Sequence, residues 1–268
     1  MSWTVALPMY NVSPRLRDGY EAFAAALLRQ ADLDHDATLV RDVPLPGFWK
    51  RPGLLLSQTC GYPYVTALRD DVTLLATPCY DVPGCDGSDA GSNYRSALVV
   101  RADGAIATLA DARGRVAAVN DEHSNSGMNL LRHAVAPLAR DGRFFAAVQW
   151  SGSHATSVAM VRAGAADIAA IDCVTWAYLC EERPADVAGL AVLGYSAAAP
   201  GLPLVAGADV PAASVERLRA ALLAPGPALL ATLAPLRILG FEYRDDAAYG
   251  RIAQLEDEAR RLGYPLLG

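Results

Sequence analysis

The chain has 268 residues, 53% hydrophobic and only 19% charged, a balance that fits a packed globular protein and excludes a disordered tail or a disulfide-stapled miniprotein. Its 23 basic residues stand against 29 acidic ones, and a formal net charge of −6 supplies no basic field for nucleic acid or an anionic membrane surface. Lys50 is the only lysine, so Schiff-base or P-loop lysine chemistry has almost nowhere to reside.

Short β-rich runs alternate with amphipathic helical segments, the pattern of an α/β protein with mainly parallel sheets. Thr4–Pro8 is a predicted strand, and Pro14–Gln30 a helix whose proline suits its first turn. Ala37–Arg41 and Leu54–Gln58 follow as strands, then a helix through Thr66 and a strand at Val72–Ala76. The stretch from Asp81 to Asn93 is dense in turn formers and reads as a loop ahead of a strand at Tyr94–Arg101. Three strand–helix units come next: Arg115–Asn120 with a helix from Gly127 to Ala139, Phe144–Trp150 with a helix from His154 to Arg162, and Asp167–Ile171 with a helix through Glu182. Val187–Ala208 carries no charge, but its glycines and prolines suit two buried strands, Leu190–Leu193 and Leu202–Ala206, better than a membrane span. A helix from Ser214 and a closing helix from Asp245 to Leu262 complete the chain.

The N-terminus, Met1 to Pro8, has no basic stretch and no long apolar run, and as written reads as the start of a cytoplasmic protein without a leader. Cys60, Cys79, Cys85, Cys173 and Cys180 lack zinc-ligand spacing and fit reduced thiols, with a Cys79–Cys85 pair open to closure if the protein is exported. No cofactor and no metal is expected.

Ligands of open α/β sheets lie beyond the carboxyl ends of the strands, so the polar residues there carry the functional reading. After the first strand of the central run comes Asp121-Glu122-His123-Ser124-Asn125-Ser126-Gly127, after the second Ser151-Gly152-Ser153-His154, and after the third Asp172. Ser124, Asn125 and Ser126 open a helix, where free N–H groups, the dipole and short polar side chains can hold an anion. Taken alone the serines read first as ordinary helix caps, and Ser153-His154 as a helix-start serine beside a solvated or satisfied histidine. Asp172 ends an apolar run and needs a partner, either a cationic ligand group or the next helix's N–H groups. Gly194-Tyr195-Ser196-Ala197-Ala198 lacks the following helix and the later histidine that a nucleophile elbow requires. Asp32-Leu33-Asp34-His35-Asp36 and Glu181-Glu182 read as solvated polar segments.

Five motifs in order (Tyr94-Arg95-Ser96-Ala97-Leu98-Val99-Val100, Leu109-Ala110-Asp111-Ala112-Arg113-Gly114, Ser124-Asn125-Ser126-Gly127, Gly152-Ser153-His154 and Gly164 through Asp172) resemble the phosphonate/phosphate/phosphite-binding proteins of ABC transporters. The resemblance implies a two-lobed type II periplasmic-binding-protein fold, each lobe a mainly parallel sheet flanked by helices. Lobe 1 would comprise 1–94 plus 197–268 and lobe 2 95–196, with crossing hinge strands near 94–101 and 190–196. It implies a substrate-binding component of an ABC-type transport system, not an enzyme, that captures a small oxyanion (phosphonate, phosphate or a related ester) between the lobes. A periplasmic location follows if a leader has been trimmed, and so do an ABC transporter permease as partner and a monomeric state. By the same resemblance Ser124, Asn125 and Ser126 match the anion cradle, His154 a phosphonyl-contacting histidine, and Tyr94 a further donor, with Asp172 and Ser153 beside them. Tyr10, Cys60 and Gly61 follow lobe 1 strands and form the expected pocket wall. Asn125 stands where the family carries threonine, and no acidic residue follows His154 to hold a ligand amine. Two other readings are a cytosolic enzyme on the same fold, like the dehydratases of menaquinone biosynthesis, and a ligand sensor.

Overall fold

The structure is a computed structural model, and it describes residues 3–87 and 91–268. Met1 and Ser2 of the expected N-terminal segment, and Ser88, Asp89 and Ala90 of the expected loop, lie outside the described residues. The chain forms two compact units: Met1–Asp81, Asp86–Asn93 and Pro200–Tyr249 make the first, Val82–Cys85, Tyr94–Ala199 and Gly250–Gly268 the second.

The first unit is built on a six-stranded sheet in the order Ile238–Glu242, Val72–Tyr80, Leu204–Gly207, Leu54–Gln58, Trp3–Ala6, Ala37–Leu39. Leu54–Gln58, an interior strand of the sheet, is buried at every position, as its leucine run leads one to expect. It pairs parallel with Trp3–Ala6, which pairs parallel with Ala37–Leu39; the pairs on its other side are antiparallel. The sheet is therefore mixed, parallel at one end and antiparallel at the other. Pro14–Gln30 is a helix because Ser13 caps it, its Oγ accepting from Leu16 N at 3.2 Å, and because Leu16, Tyr20, Phe23, Ala24 and Leu27 repeat at helical spacing on one buried face. Phe23 stacks on Phe241 of the edge strand at 5.7 Å, which fixes the helix against the sheet.

The second unit holds a five-stranded sheet in the order Leu190–Tyr195, Ser96–Arg101, Ile168–Asp172, Val116–Val119, Ala147–Trp150. Val116–Val119 sits between two parallel neighbours, and the Ser96–Arg101 side is antiparallel. All three parallel strands thus end on one edge of the sheet, each followed by a helix start.

Ser96–Arg101 and Leu190–Tyr195 pair with each other inside the second unit, from Leu190 opposite Arg101 to Tyr195 opposite Ala97, and the chain passes between units at Asp81–Val82, Cys85–Asp86, Asn93–Tyr94, Ala199–Pro200 and Tyr249–Gly250. Leu190–Tyr195 is half-buried, as an edge strand with one covered face must be, rather than fully buried like Leu204–Gly207. Residues 250–268 group with the second unit, not the first. The reason is polar as well as apolar: Asn129 Nδ2 donates to Ile252 O at 3.2 Å, Arg132 Nη1 to Pro265 O at 3.0 Å, and the N–H groups of Phe144 and Phe145 to Gly268 O. A strand at Ile238–Glu242, absent from the sequence reading, completes the first sheet. Among the described residues no single helix is long and apolar enough to cross a membrane.

Candidate functional site

The polar residues at the strand ends of the second unit converge around one helix start. After Val119 the chain turns through Asp121, whose Oδ1 accepts from His123 N at 2.7 Å and whose carbonyl accepts from Ser124 N at 3.1 Å. Ser124 then caps the helix, its Oγ accepting from Gly127 N at 2.9 Å. The next turn is wide: Asn129 N reaches back five residues to Ser124 O at 3.0 Å, and Leu130 N to Asn125 O. The first N–H groups of a helix have no intrahelical acceptor, and here Ser124 Oγ takes that of Gly127.

Ser126 and His154 meet here. Ser126 Oγ lies 2.9 Å from His154 Nε2, and Ser124 Oγ lies 3.5 Å from Ser126 Oγ. His154 is the first residue of its own helix, His154–Ala163, which Ser153 caps by accepting from Thr156 N at 3.1 Å. His154 Nδ1 is buried without a hydrogen-bond partner, and so is Asn120 Oδ1. With no counter-charge at hand, burial lowers the imidazole pKa from 6.5 to about 4, so the ring is neutral at neutral pH. In the unliganded site the ring is therefore an uncharged partner of a serine hydroxyl. With the proton on Nε2, Ser126 Oγ accepts from the ring and turns its own hydrogen outward; that is the tautomer suited to an anion.

Gly127 is a requirement of this packing. A Cβ at that position would stand 1.7 Å from Asn120 Oδ1 and 3.3 Å from His154 Cε1, so no other residue leaves Asn120 and the imidazole in place.

Behind the cradle runs a buried polar chain. Tyr94 OH, 2% exposed, accepts from Asn125 Nδ2 at 3.0 Å; Asn125 Oδ1 accepts from Asn129 Nδ2 at 2.9 Å; Asn129 Oδ1 accepts from Arg132 Nη2 at 2.7 Å. Arg132, itself 3% exposed, also lies 3.5 Å from Glu256. On the other side Ser96 Oγ donates to Ser126 O at 2.8 Å, and Ser196 Oγ accepts from Ser96 N at 2.9 Å. These mutual hydrogen bonds hold Asn125 and Ser126 in one conformation, while Arg132 Nε is buried without a partner. Sequence reading missed Asn120, Asn129 and Arg132. The signal lay in Asn125, Asn129 and Arg132 at i, i+4 and i+7, a polar stripe amid Leu130, Leu131 and Val135.

The remaining candidates have other positions. Asp172 is 2% exposed and its Oδ1 accepts from Val174 N at 2.9 Å and Thr175 N at 3.1 Å, the helix-capping alternative of its two readings. In the first unit, Tyr10 is 2% exposed within an aromatic cluster, stacked on Tyr20 at 6.3 Å and edge-on to Tyr80 at 5.7 Å. Cys60 and Gly61 are buried at the start of a short helix that continues into a second wide turn, Tyr64–Leu68. Among the described residues no group of three His, Cys, Asp or Glu side chains is placed to hold a metal ion.

A family profile described as ABC transporter, phosphonate, periplasmic substrate-binding protein matches residues 55–249. The chain belongs to that family. It is therefore the substrate-binding component of a phosphonate ABC transporter rather than an enzyme, and the enzymatic alternative falls. The family is periplasmic and works with a transporter permease, and the cytoplasmic expectation finds no support. No curated protein matches the sequence. Among solved structures, a binding-protein component of the Pseudomonas aeruginosa ABC phosphonate transporter is similar, with TM-score 0.79 at 19% identity over 98% of this chain and 87% of that one. PhnD1 from Prochlorococcus marinus in complex with methylphosphonate gives 0.78 at 16% identity over 97% and 98%. A Xanthomonas citri protein bound to ATP gives 0.69 at 18% identity over 98% of both. These likenesses establish the type II periplasmic-binding-protein fold.

Proposed function

We propose that the protein captures a small tetrahedral oxyanion, a phosphonate or phosphate ester, with Ser124, Asn125, Ser126 and His154 as its anion-contacting residues and Tyr94 positioning Asn125. The observation that carries this reading is the Ser126 Oγ–His154 Nε2 pair, 2.9 Å apart at a helix start. Hydroxyl, amide and backbone donors are neutral, so capture does not depend on lysine or arginine and is compatible with a net charge of −6. The phosphonate family and the methylphosphonate bound by the Prochlorococcus marinus relative support the ligand class.

Calorimetric titration of ligand-stripped protein with methylphosphonate, phosphite, phosphate, sulfate and taurine tests it. A phosphorus oxyanion should bind with a dissociation constant well below that of sulfate or taurine. Absence of heat with all five ligands overturns the oxyanion reading.

A further inference from the structure

All five cysteines are thiols, and two of them face each other: Cys85 Sγ lies 3.5 Å from Cys173 Sγ. Both belong to the second unit. The sequence reading had set Cys85 against Cys79, six residues back; the fold puts a residue 88 positions away beside it instead.

We propose that Cys85 and Cys173 are a disulfide-forming pair that closes under the oxidising conditions of the periplasm, the compartment of the family to which the chain belongs. A bond requires the sulfurs to approach to about 2.05 Å, which side-chain rotation can supply only where the two backbones are already close. They are. Gly84 is at φ +97°, and a Cβ there would meet both Cys173 Cβ and Tyr195 Cε1 at 2.8 Å, so the backbone next to Cys85 packs directly on Cys173. The turn carrying Cys85 is held from within by Cys85 N donating to Val82 O at 3.1 Å and from outside by Arg95 Nη1 donating to Gly84 O at 3.3 Å. Cys173 is held as firmly: it opens the helix Cys173–Glu182, its N donates to Arg95 O at 3.1 Å, and Asp172 caps the turn that follows. One arginine residue thus anchors both partners, through its side chain on one and its carbonyl on the other.

The exposure of the two thiols sets the order of events. Cys85 is half-buried and Cys173 wholly buried. Cys85 as thiolate attacks the disulfide of a thiol–disulfide oxidoreductase, forming a mixed disulfide and releasing one oxidant thiol; Cys173 as thiolate then attacks the Cys85 sulfur and expels the second. Two protons and two electrons leave the pair, and the oxidant's disulfide becomes a dithiol. Cys79 is a poorer competitor, because burial and the neighbouring Glu242 push its thiol pKa up. Cys180, near Glu181, is shifted the same way.

The test is thiol mapping on the intact chain after exposure to oxidised glutathione, with alkylation in denaturant and chymotryptic cleavage at Tyr80, which separates Cys79 from Cys85. The expected result is three alkylatable thiols, one peptide pair joining Cys85 to Cys173, and a melting temperature several degrees higher that dithiothreitol reverses, since the bridge closes a long loop. Cys79→Ser should preserve the linked pair and Cys85→Ser should remove it together with the thermal shift. Five remaining thiols, a glutathione adduct held on Cys85, or a Cys79–Cys85 peptide would each overturn the proposal, and all three are read on the unmutated protein.

Discussion

Each unit carries a wide helical turn a few residues beyond the carboxyl end of a parallel-paired strand, and the two turns differ in what they present. In the second unit the turn Asn125–Asn129 begins with Ser124, Asn125 and Ser126, backed by His154. In the first, the segment reads Cys60-Gly61-Tyr62-Pro63 and runs into the wide turn Tyr64–Leu68, with the Tyr64 hydroxyl donating to Asp246. The backbone device is the same, and so is the dipole it offers. Only one turn adds hydroxyl and amide donors plus a histidine. The two helix starts therefore differ in the side chains that decorate them, and the turn of the first unit is aromatic, with its Tyr64 hydroxyl engaged by Asp246.

Ser126 is where that contrast breaks most completely. Ser126→Tyr fills the helix mouth and removes the hydroxyl paired to His154, and affinity for the preferred oxyanion should fall by more than ~100-fold, because a charge-assisted hydrogen bond is lost along with the space. Ser126→Ala, which fits without overpacking, should cost roughly 10-fold or more by calorimetry. An alanine variant that binds as tightly as the parent protein would remove Ser126 from the site.

The next effect is on the support behind the cradle. Asn129→Leu strips Asn125 Oδ1 and one Arg132 Nη2 bond of their partner in a fully buried setting. Stability should drop by about 2–4 kcal/mol, seen as a melting temperature roughly 5–10 °C lower, and affinity by about 10-fold as the Asn125 amide loosens. A comparable exchange in the aromatic turn, Thr66→Val, removes a hydroxyl that donates to Tyr62 O at 2.8 Å and should leave anion affinity unchanged within about twofold. If both variants weaken binding alike, the two turns are not functionally distinct.

Periodicity was enough to read the helix Pro14–Gln30 and the strand Leu54–Gln58, because a capped amphipathic helix and a leucine-rich central strand announce themselves locally. The serines and His154 were legible as candidates for the same reason: each follows a strand and opens a helix. What stayed hidden depends on contacts distant in sequence. Asn129 and Arg132 look like mid-helix polar residues until residues 252, 256 and 265 are brought to them. The strand Ile238–Glu242 is short, half-exposed and interrupted by Gly240, so its pattern is weak, and its pairing with Val72–Tyr80 makes it a strand. Cys85 and Cys173 could be matched only by the fold.

His154 gives a pH signature that the aromatic turn cannot. Its pKa is lowered by burial to about 4 from 6.5, so the unfolded chain binds the proton more readily than the folded one between those values. Stability from this group is fully present above pH 6.5 and is lost as pH falls toward 4, on the order of 3 kcal/mol, and His154→Gln should flatten the unfolding free energy across that window. Binding runs the other way. An anion beside the ring favours the imidazolium and raises its pKa in the complex, so affinity should strengthen as pH falls from 7 toward 4. Titration of the parent and His154→Gln with the same ligand cancels the ligand's own ionisation. Parallel pH profiles would mean that the imidazole does not meet the anion.

The smallest expected effect concerns Asp172. One of its oxygens accepts from Val174 N and Thr175 N, and a carboxylate committed to a helix start is stabilised there by the same dipole that favours an anion at Ser124–Ser126. Asparagine caps nearly as well as aspartate, so Asp172→Asn should cost less than about 1 kcal/mol of stability and should change methylphosphonate affinity by no more than about twofold. A ligand bearing an amine separates the two readings of this residue: a capping aspartate leaves the ratio of 2-aminoethylphosphonate to methylphosphonate affinity unaltered in the variant, whereas a carboxylate that meets the ammonium would lose 10-fold or more for the amine alone. With both backbone donors already drawn onto Oδ1, the constant ratio is the expected result, and ligand selectivity then resides in the hydroxyl and amide cradle.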